Sequence, residues 1–419
     1  MAVAIKVDGS VTSEGYDGIH ARNEGANLII TTGVGSSVRG EGPNPDSEIE
    51  DSNGIDAVNE GSGYLRIVAD GEVFGNFNDG IYAKNEGTDL IIETGVQSVV
   101  KGGGNGIGAY NYGSGNLRID AQGLVGGYSY AGDGIKAYNS ADGGYLKIVT
   151  GTQAVTGGDD GIQAENLGDG DLIITTNGAV TGKNGNGITA INNGDEFFNT
   201  ETSEFEPAFG RNLTITANAA VTGDYTGIDA LNHGTGDLTI TANGNVAGGE
   251  GDGIYAYNSE IGKGASVTTG AAASITGKYD GIDTRNYGDG DLKITADGNV
   301  AGRTGDGIFA RNVEEALDLG GDQVVGGYAR ALTITTGPGS VVTGQRNGIY
   351  AQDTGMGNFE ITVNGRVTGA TRDGIYAFDG SEGYDTQILD VSEDGYHFSI
   401  STSAASVVDR SQWPGHRRQ

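Results

Sequence analysis

Thr226-Gly-Ile-Asp-Ala-Leu-Asn232 is followed by His233-Gly-Thr-Gly-Asp237, then Leu238-Thr-Ile-Thr-Ala-Asn-Gly244, then Asn245-Val-Ala-Gly-Gly-Glu-Gly251. The apolar residues alternate within each run: Ile228 and Ala230, then Leu238 and Ile240, then Val246. Alternation over short runs, bounded by Gly, Asn and Asp, predicts β-strands. It gives three per unit, of about five, five and three residues. No segment has a sustained helical period.

Working outward, the tetrad Gly-Ile-x-Ala recurs with its glycine at 18, 54, 80, 106, 134, 161, 187, 227, 253, 281, 307, 348 and 374, with Thr284 replacing Ala once. The spacing is 26 to 28 residues except where insertions fall, at 41–52, 195–211 and 313–330. A fixed period of this size predicts a solenoid. Three strands and three turns per copy predict an all-β, right-handed parallel β-helix of about 13 rungs, each strand lying about 4.8 Å from its counterpart. The handedness comes from the length of the rung and the resemblance given below. The repeat domain covers 1–391, and 392–419 is expected to be an irregular tail. Pro43, Pro45, Pro207, Pro338 and Pro414 all fall outside the expected strands, as a sheet paired on both edges requires.

The chain has 419 residues, 79 of them Gly, with 5 Pro and no Cys. Lys+Arg is 24 and Asp+Glu is 56, a formal net charge of −32. That charge argues against nucleic acid or an anionic membrane as partner. No apolar run is long enough to insert in a bilayer. The absence of Cys excludes disulfides, zinc-thiolate sites and thiol catalysis. Met1 to Lys6 does not read as a signal peptide. Val3, Ile5 and Val11 match the second and third strands of a rung, so the chain starts within a repeat. Uncapped ends would leave sheet edges open, so the expectation is a piece of something longer or self-association end to end.

Two polar columns recur. After Ala, the inward position is Asn in eleven rungs and Asp in two, Asp353 and Asp379. Recurrence in every rung predicts an asparagine ladder rather than a ligand site. Before the repeat glycine stands Asp, Asn or Thr226, read as turn chemistry with the glycine at φ > 0. Asp252, Asp280 and Asp306 would be neighbours in the stack and repel. The pairs Asp169/Asp171 and Asp289/Asp291 would do the same. Plain solvated turns account for these pairs; calcium bound at Asp169, Asp171, Asp289 and Asp291 is the alternative. No other cofactor is indicated.

Signals for catalysis are poor. The four histidines are scattered, and no nucleophile elbow, P-loop or dinucleotide fingerprint occurs. The best catalytic constellation is Asp283 with Arg285, and Arg311 one rung on; a surface ion pair explains it equally. Outward aromatic residues, among them Tyr255, Tyr257, Tyr350 and Tyr376, either stack on a sugar or partner protein, or pair with one another across rungs. The second insertion carries Phe197, Phe198, Phe205 and Phe209 among acids, a segment suited to contact or to covering the solenoid edge.

The pattern Gly-Ile-x-Ala-x-Asn … Gly-x-Gly-Asp-Leu-x-Ile-x-x-x-Gly-x-Val-x-Gly resembles the repeats of bacterial autotransporter passenger regions and related large surface adhesins, over about residues 2 to 391. The resemblance implies a cell-surface or extracellular location, at the bacterial outer membrane if the chain is part of a longer autotransporter. It also implies a structural or adhesive role, with a host-surface protein or glycan as partner; the poor catalytic signals add the expectation that the chain is not an enzyme. It matches scaffold positions and carries over no functional residue. A β-helical lyase or hydrolase acting on acidic polysaccharide is the second reading, and an end-to-end filament subunit the third.

Overall fold

The computed structural model describes residues 1–42, 52–193, 210–313, 330–355 and 357–380, together with the strands Glu196–Asn199, Glu204–Pro207, Ala316–Asp318, Val324–Gly326, Phe398–Thr402 and Val407–Arg410. Most of the first insertion, and Phe209 of the second, lie outside the described residues. The chain forms two compact units, Met1–Asp224 with His233–Thr235, and Tyr225–Asn232 with Gly236–Gln419. Each is a parallel β-solenoid with three strands per rung, and neither contains a helix among the described residues.

In the first unit the Gly-Ile-x-Ala strands run from Ile19–Asn23 to Ile188–Asn192 and pair in parallel, in repeat register. Ile19 stands over Ile55, Ala21 over Ala57 and Asn23 over Asn59. The Leu-x-Ile strands and the Val-x-Gly strands form the second and third sheets on the same plan. The second unit repeats the arrangement from Ile228–Asn232 to Ile375–Asp379.

Alternation sets the burial. In Ile254–Asn258 the residues Ile254, Ala256 and Asn258 are buried, and Tyr255 and Tyr257 are half-buried. Twelve of the thirteen repeat isoleucines are buried, with Ile375 partly covered. A rung buries Ile, Ala, Leu, Ile and Val, as at Ile228, Ala230, Leu238, Ile240 and Val246. The larger side chains contribute roughly 1.5–3 kcal/mol each once neighbouring rungs cover them.

The asparagine column is a continuous ladder within each unit. Asn59 Nδ2 donates to Asn85 Oδ1 at 2.8 Å, and Asn85 Nδ2 to Asn111 Oδ1 at 2.9 Å. Asn232, Asn258, Asn286 and Asn312 repeat this at 2.7–2.9 Å. The second amide hydrogen caps a turn carbonyl, as from Asn111 to Gly115 O at 3.1 Å.

The structure corrects three expectations. The repeat glycines are not at positive φ; that conformation occurs at Gly35, Gly42, Gly339 and Gly380. Close packing requires them instead: a Cβ on Gly307 would lie 2.5 Å from Gly348 O and 2.7 Å from Val342 Cγ1. The second and third insertions carry antiparallel two-stranded hairpins, Glu196–Asn199 with Glu204–Pro207 and Ala316–Asp318 with Val324–Gly326. Pro207 ends one of these strands. Finally, the stretch expected to be an irregular tail adds Phe398–Thr402 and Val407–Arg410 to the second and third sheets.

Candidate functional site

The Asx residues before the repeat glycines form a second ladder, made of carboxylates and backbone. In the first unit Asn53 N donates to Asp17 Oδ1 at 2.7 Å, Asp79 N to Asn53 Oδ1 at 3.0 Å and Asn105 N to Asp79 Oδ1 at 2.8 Å. Alternation of Asp and Asn keeps these charges apart. In the second unit three acids follow one another. Asp280 N donates to Asp252 Oδ1 at 2.7 Å, Asp306 N to Asp280 Oδ1 at 2.5 Å and Asn347 N to Asp306 Oδ1 at 2.7 Å.

Asp283 joins them from the neighbouring outward column. It lies between Tyr255 and Phe309 in register and is 3% exposed despite pointing outward. Arg285 covers it, with Nε donating to Oδ1 at 3.1 Å and Nη2 to Oδ2 at 2.8 Å. The guanidinium carbon of Arg285 sits 5.4 Å from the ring centroids of both Tyr255 and Phe309. Arg311 stands in register with Arg285, as expected, and its guanidinium carbon lies 5.9 Å from the ring centroid of Tyr287. The second arginine at the acids is Arg346, whose Nη2 donates to Asp306 Oδ2 at 2.7 Å and stands 4.0 Å from Asp280 Oδ1. Sequence reading missed it because an insertion separates it from Asp306. The available signal is an arginine directly before the Asx-Gly pair, found here and at Arg372.

Asp252, Asp280, Asp283, Arg285 and Arg346 line a cavity of about 300 Å³ together with Tyr279. Burial raises Asp280 to about 7, with Asp283, Asp252 and Asp306 adding repulsion. It raises Asp252 to about 6, with Asp283 adding to it. Asp283 is also pushed up by burial, against the pull of Arg285. The site can hold protons near neutrality and presents carboxyl oxygens to a polar ligand.

The expected aromatic row is largely self-paired. Tyr350 stacks at 4.9 Å on Phe309 and at 5.1 Å on Tyr376, with interplanar angles of 6° and 11°. Tyr257 leans on Tyr287 at 5.4 Å, and its hydroxyl donates to Glu260 at 3.3 Å. Tyr376 remains 38% exposed. Phe198 and Phe205 are register partners in the first hairpin, where Phe197 faces Glu206.

Among the expected calcium ligands, Asp171 Oδ1 accepts from Asn212 N at 3.0 Å, and Asp291 Oδ1 from Ala331 N at 3.0 Å. The backbone N–H groups of Asp169 and Asp289 donate to Gly143 O and Gly262 O. Asp289 and Asp291 line a groove of about 530 Å³ with Asp237, Lys263, Lys293 and Arg330, where acids and bases balance. Among the described residues, three or more metal-ligating atoms come within 4.8 Å of one another only at Asp17, His20 and Asp56. His20 Nδ1 lies 2.7 Å from Asp56 Oδ2 and 3.2 Å from Asp17 Oδ2, within hydrogen-bond reach of both.

The fold and this face define a parallel β-solenoid with an acid, arginine and aromatic surface. No known family model, curated protein or solved structure matches the chain. Its reading therefore rests on its own geometry.

Proposed function

We propose that the chain is a structural and adhesive β-solenoid of the cell surface, a segment of an autotransporter passenger or large surface adhesin. The observation that carries this reading is the contrast between its interior and its exterior. The inward Ile, Ala and Asn positions repeat rung after rung, with side chains that satisfy one another. The outward position between Ile and Ala reads His20, Asp56, Tyr82, Gly108, Lys136, Gln163 and Thr189 through the first unit. A fixed frame with a varied outer face suits display of contact residues along a surface. It does not require a reaction. The partner would be a host-surface protein or glycan.

The test is binding of the purified chain to host cells and to arrays of matrix proteins and glycans. Saturable binding, weakened by Tyr350→Ala with Tyr376→Ala, is expected. An absence of binding to all of them would overturn the reading. Cleavage of an acidic polysaccharide would transfer it to the enzyme alternative, which Asp280 favours. A carboxyl kept protonated to about 7 beside an open cavity is what a general acid needs.

A further inference from the structure

In the first unit, an aspartate before a repeat glycine aims its second oxygen in a set direction. Asp160 Oδ1 accepts from Asn186 N at 2.6 Å, and its Oδ2 accepts from the Thr189 hydroxyl at 2.6 Å. Asp79 Oδ1 accepts from Asn105 N at 2.8 Å, and its Oδ2 faces Gly108, where a Cβ would strike it. Thr189 and Gly108 hold the same place, the outward residue after the repeat isoleucine of the following rung. Asp17 obeys the same geometry. Its Oδ1 accepts from Asn53 N at 2.7 Å and from Asn53 Nδ2 at 3.1 Å. The residue in the place of Thr189 and Gly108 is here Asp56. The repeat thus turns one carboxylate toward a second, where another rung offers a hydroxyl donor and another leaves a gap.

His20 meets both carboxylates with a single atom. It is in register with Asp56, and its Nδ1 lies 2.7 Å from Asp56 Oδ2 and 3.2 Å from Asp17 Oδ2. One imidazole nitrogen carries at most one hydrogen. It therefore donates well to one of these oxygens and leaves the other facing it. The three atoms lie within 4.8 Å of one another. The Asp17 side chain is only 6% exposed, and its ion pairing among the described residues is with His20 alone. An imidazole nitrogen and two carboxylate oxygens from two rungs thus converge on one point that a single proton cannot satisfy.

We propose that Asp17, His20 and Asp56 form a zinc site, with Asp17 Oδ2, His20 Nδ1 and Asp56 Oδ2 as its three protein ligands. Zinc takes imidazole nitrogen and carboxylate oxygen together at about 2.0–2.2 Å, so donors on a tetrahedral ion stand about 3.3–3.6 Å apart. The separations from Nδ1 are slightly shorter, and His20, 63% exposed, is free to draw back by that difference. Two carboxylates and a neutral imidazole carry two negative charges, which a divalent ion balances. The nitrogen ligand selects against calcium and magnesium, which take oxygen. The Asn53 bonds to Oδ1 hold the Asp17 carboxylate in place, as outer partners of metal ligands commonly do. Water takes the fourth position. The ion ties the first repeat rung to the second, on either side of the insertion at 41–52. This set shares no residue with the acid pairs of the turns, and it stands apart from the adhesive reading.

The test is calorimetric titration of the whole chain with zinc chloride at physiological salt and in excess Ca²⁺, which screens the net charge of −32 and fills unspecific acidic sites. A saturable one-to-one isotherm is expected, weakened at least about tenfold by His20→Ala and by Asp56→Asn. Asp291→Asn, in the second unit, should bind as the parent does. Zinc should also slow hydrogen exchange of the Ile19–Asn23 and Ile55–Asn59 amides in the parent and leave it unchanged in His20→Ala. Circular dichroism checks that the variants fold; if Asp56→Asn does not, the exposed His20 decides. Four outcomes overturn the proposal: no saturable binding in excess Ca²⁺, equal binding by a folded His20→Ala variant, an equal loss in Asp291→Asn, or binding without slowed exchange in these two strands. None of these measurements involves a cell surface, so they fail or succeed separately from the adhesion assay.

Discussion

Asn312 donates from Nδ2 to Oδ1 of Asp353 at 3.1 Å, and there the amide ladder of the second unit turns into carboxylates. Asp353 Oδ1 also accepts from Gly355 N at 3.1 Å. Its Oδ2 is buried without a hydrogen-bond partner, and the next residue in register is Asp379. An amide at this position would donate to the next rung; an ionised carboxylate cannot. Burial raises Asp353 to about 7 and pushes Asp379 up as well. A proton held here restores a donor at the end of the ladder.

That relationship fixes the sign of a pH effect. Unfolded, the Asp353 carboxyl would ionise near 3.8; folded, it keeps its proton to about 7. The folded state binds more protons between those limits, so the group's contribution to stability is full below about 4 and is lost as pH rises through 7. Asp353→Asn should remove this dependence. It should also stabilise the last rungs at pH 8 by roughly 1–3 kcal/mol, the cost of an unsatisfied buried group. Hydrogen exchange of the Ile349–Asp353 amides across pH 5 to 8 reads it. Identical pH profiles for parent and variant would remove the argument.

Inside the ladder the opposite substitution is costly. Asn139 accepts from Asn111 at 2.8 Å and donates to Asn166 at 2.8 Å and Gly144 O at 3.0 Å, fully buried. Asn139→Ala leaves acceptors on both Asn166 and Gly144 without their donor. A loss of roughly 2–4 kcal/mol is expected, as each orphaned buried group costs about 1–3 kcal/mol. Urea unfolding measures it, and a change below about 0.5 kcal/mol would mean that the ladder contributes little.

The inward columns were legible because a period-two pattern repeated thirteen times leaves one way to bury every Ile, Ala and Leu. The asparagine ladder followed from the same recurrence. What escaped depends on features that occur once. Arg346 reaches Asp306 across an insertion, and no repeat spacing announces that contact. Asp283 is in an outward position and is nonetheless buried, because Tyr255, Phe309 and Arg285 close over it. The hairpins that begin at Glu196–Asn199 and Ala316–Asp318 lie in insertions, outside the repeat from which the other strands could be inferred. Phe398 and Ile400 do keep the alternation of a second strand, but Phe398 stands 23 residues after Ile375, where Leu238 follows Ile228 by 10.

The repeat glycines were recognised for their position but not for their cause. Gly307 has an ordinary φ, so an alanine there meets no backbone strain. It meets the carbonyl of Gly348 at 2.5 Å instead. That atom belongs to paired backbone, since Ile308 N donates to it at 3.0 Å. Gly307→Ala must therefore separate two rungs. A loss of roughly 1–3 kcal/mol or more is expected from such overpacking. Gly339, at φ 83 with open space around it, would instead suffer through conformation, by roughly 1–2 kcal/mol. Urea midpoints of the two alanine variants compare the mechanisms. Replacement by Asn, which tolerates positive φ, should recover part of the loss at 339 and none at 307.

Arg285 gives the sharpest test of the outward face. An exposed ion pair contributes about 0–1 kcal/mol, whereas removing one partner of a buried pair costs about 3–5 kcal/mol. The guanidinium is partly open, but Asp283 is 3% exposed and depends on it for both oxygens. The Asp283 side governs. Arg285→Met keeps the stem between Tyr255 and Phe309 while leaving a buried carboxylate without its base, so a loss toward the upper range is expected. Arg285→Lys restores a charge but lacks the planar fork, and should fall between. Asp283→Asn combined with Arg285→Met removes the buried charge altogether and should recover most of the stability. Urea unfolding of the three variants, with hydrogen exchange across Ile282–Asn286, separates these cases. A loss below about 1 kcal/mol in Arg285→Met, or no recovery in the double variant, would show that Asp283 does not depend on this arginine.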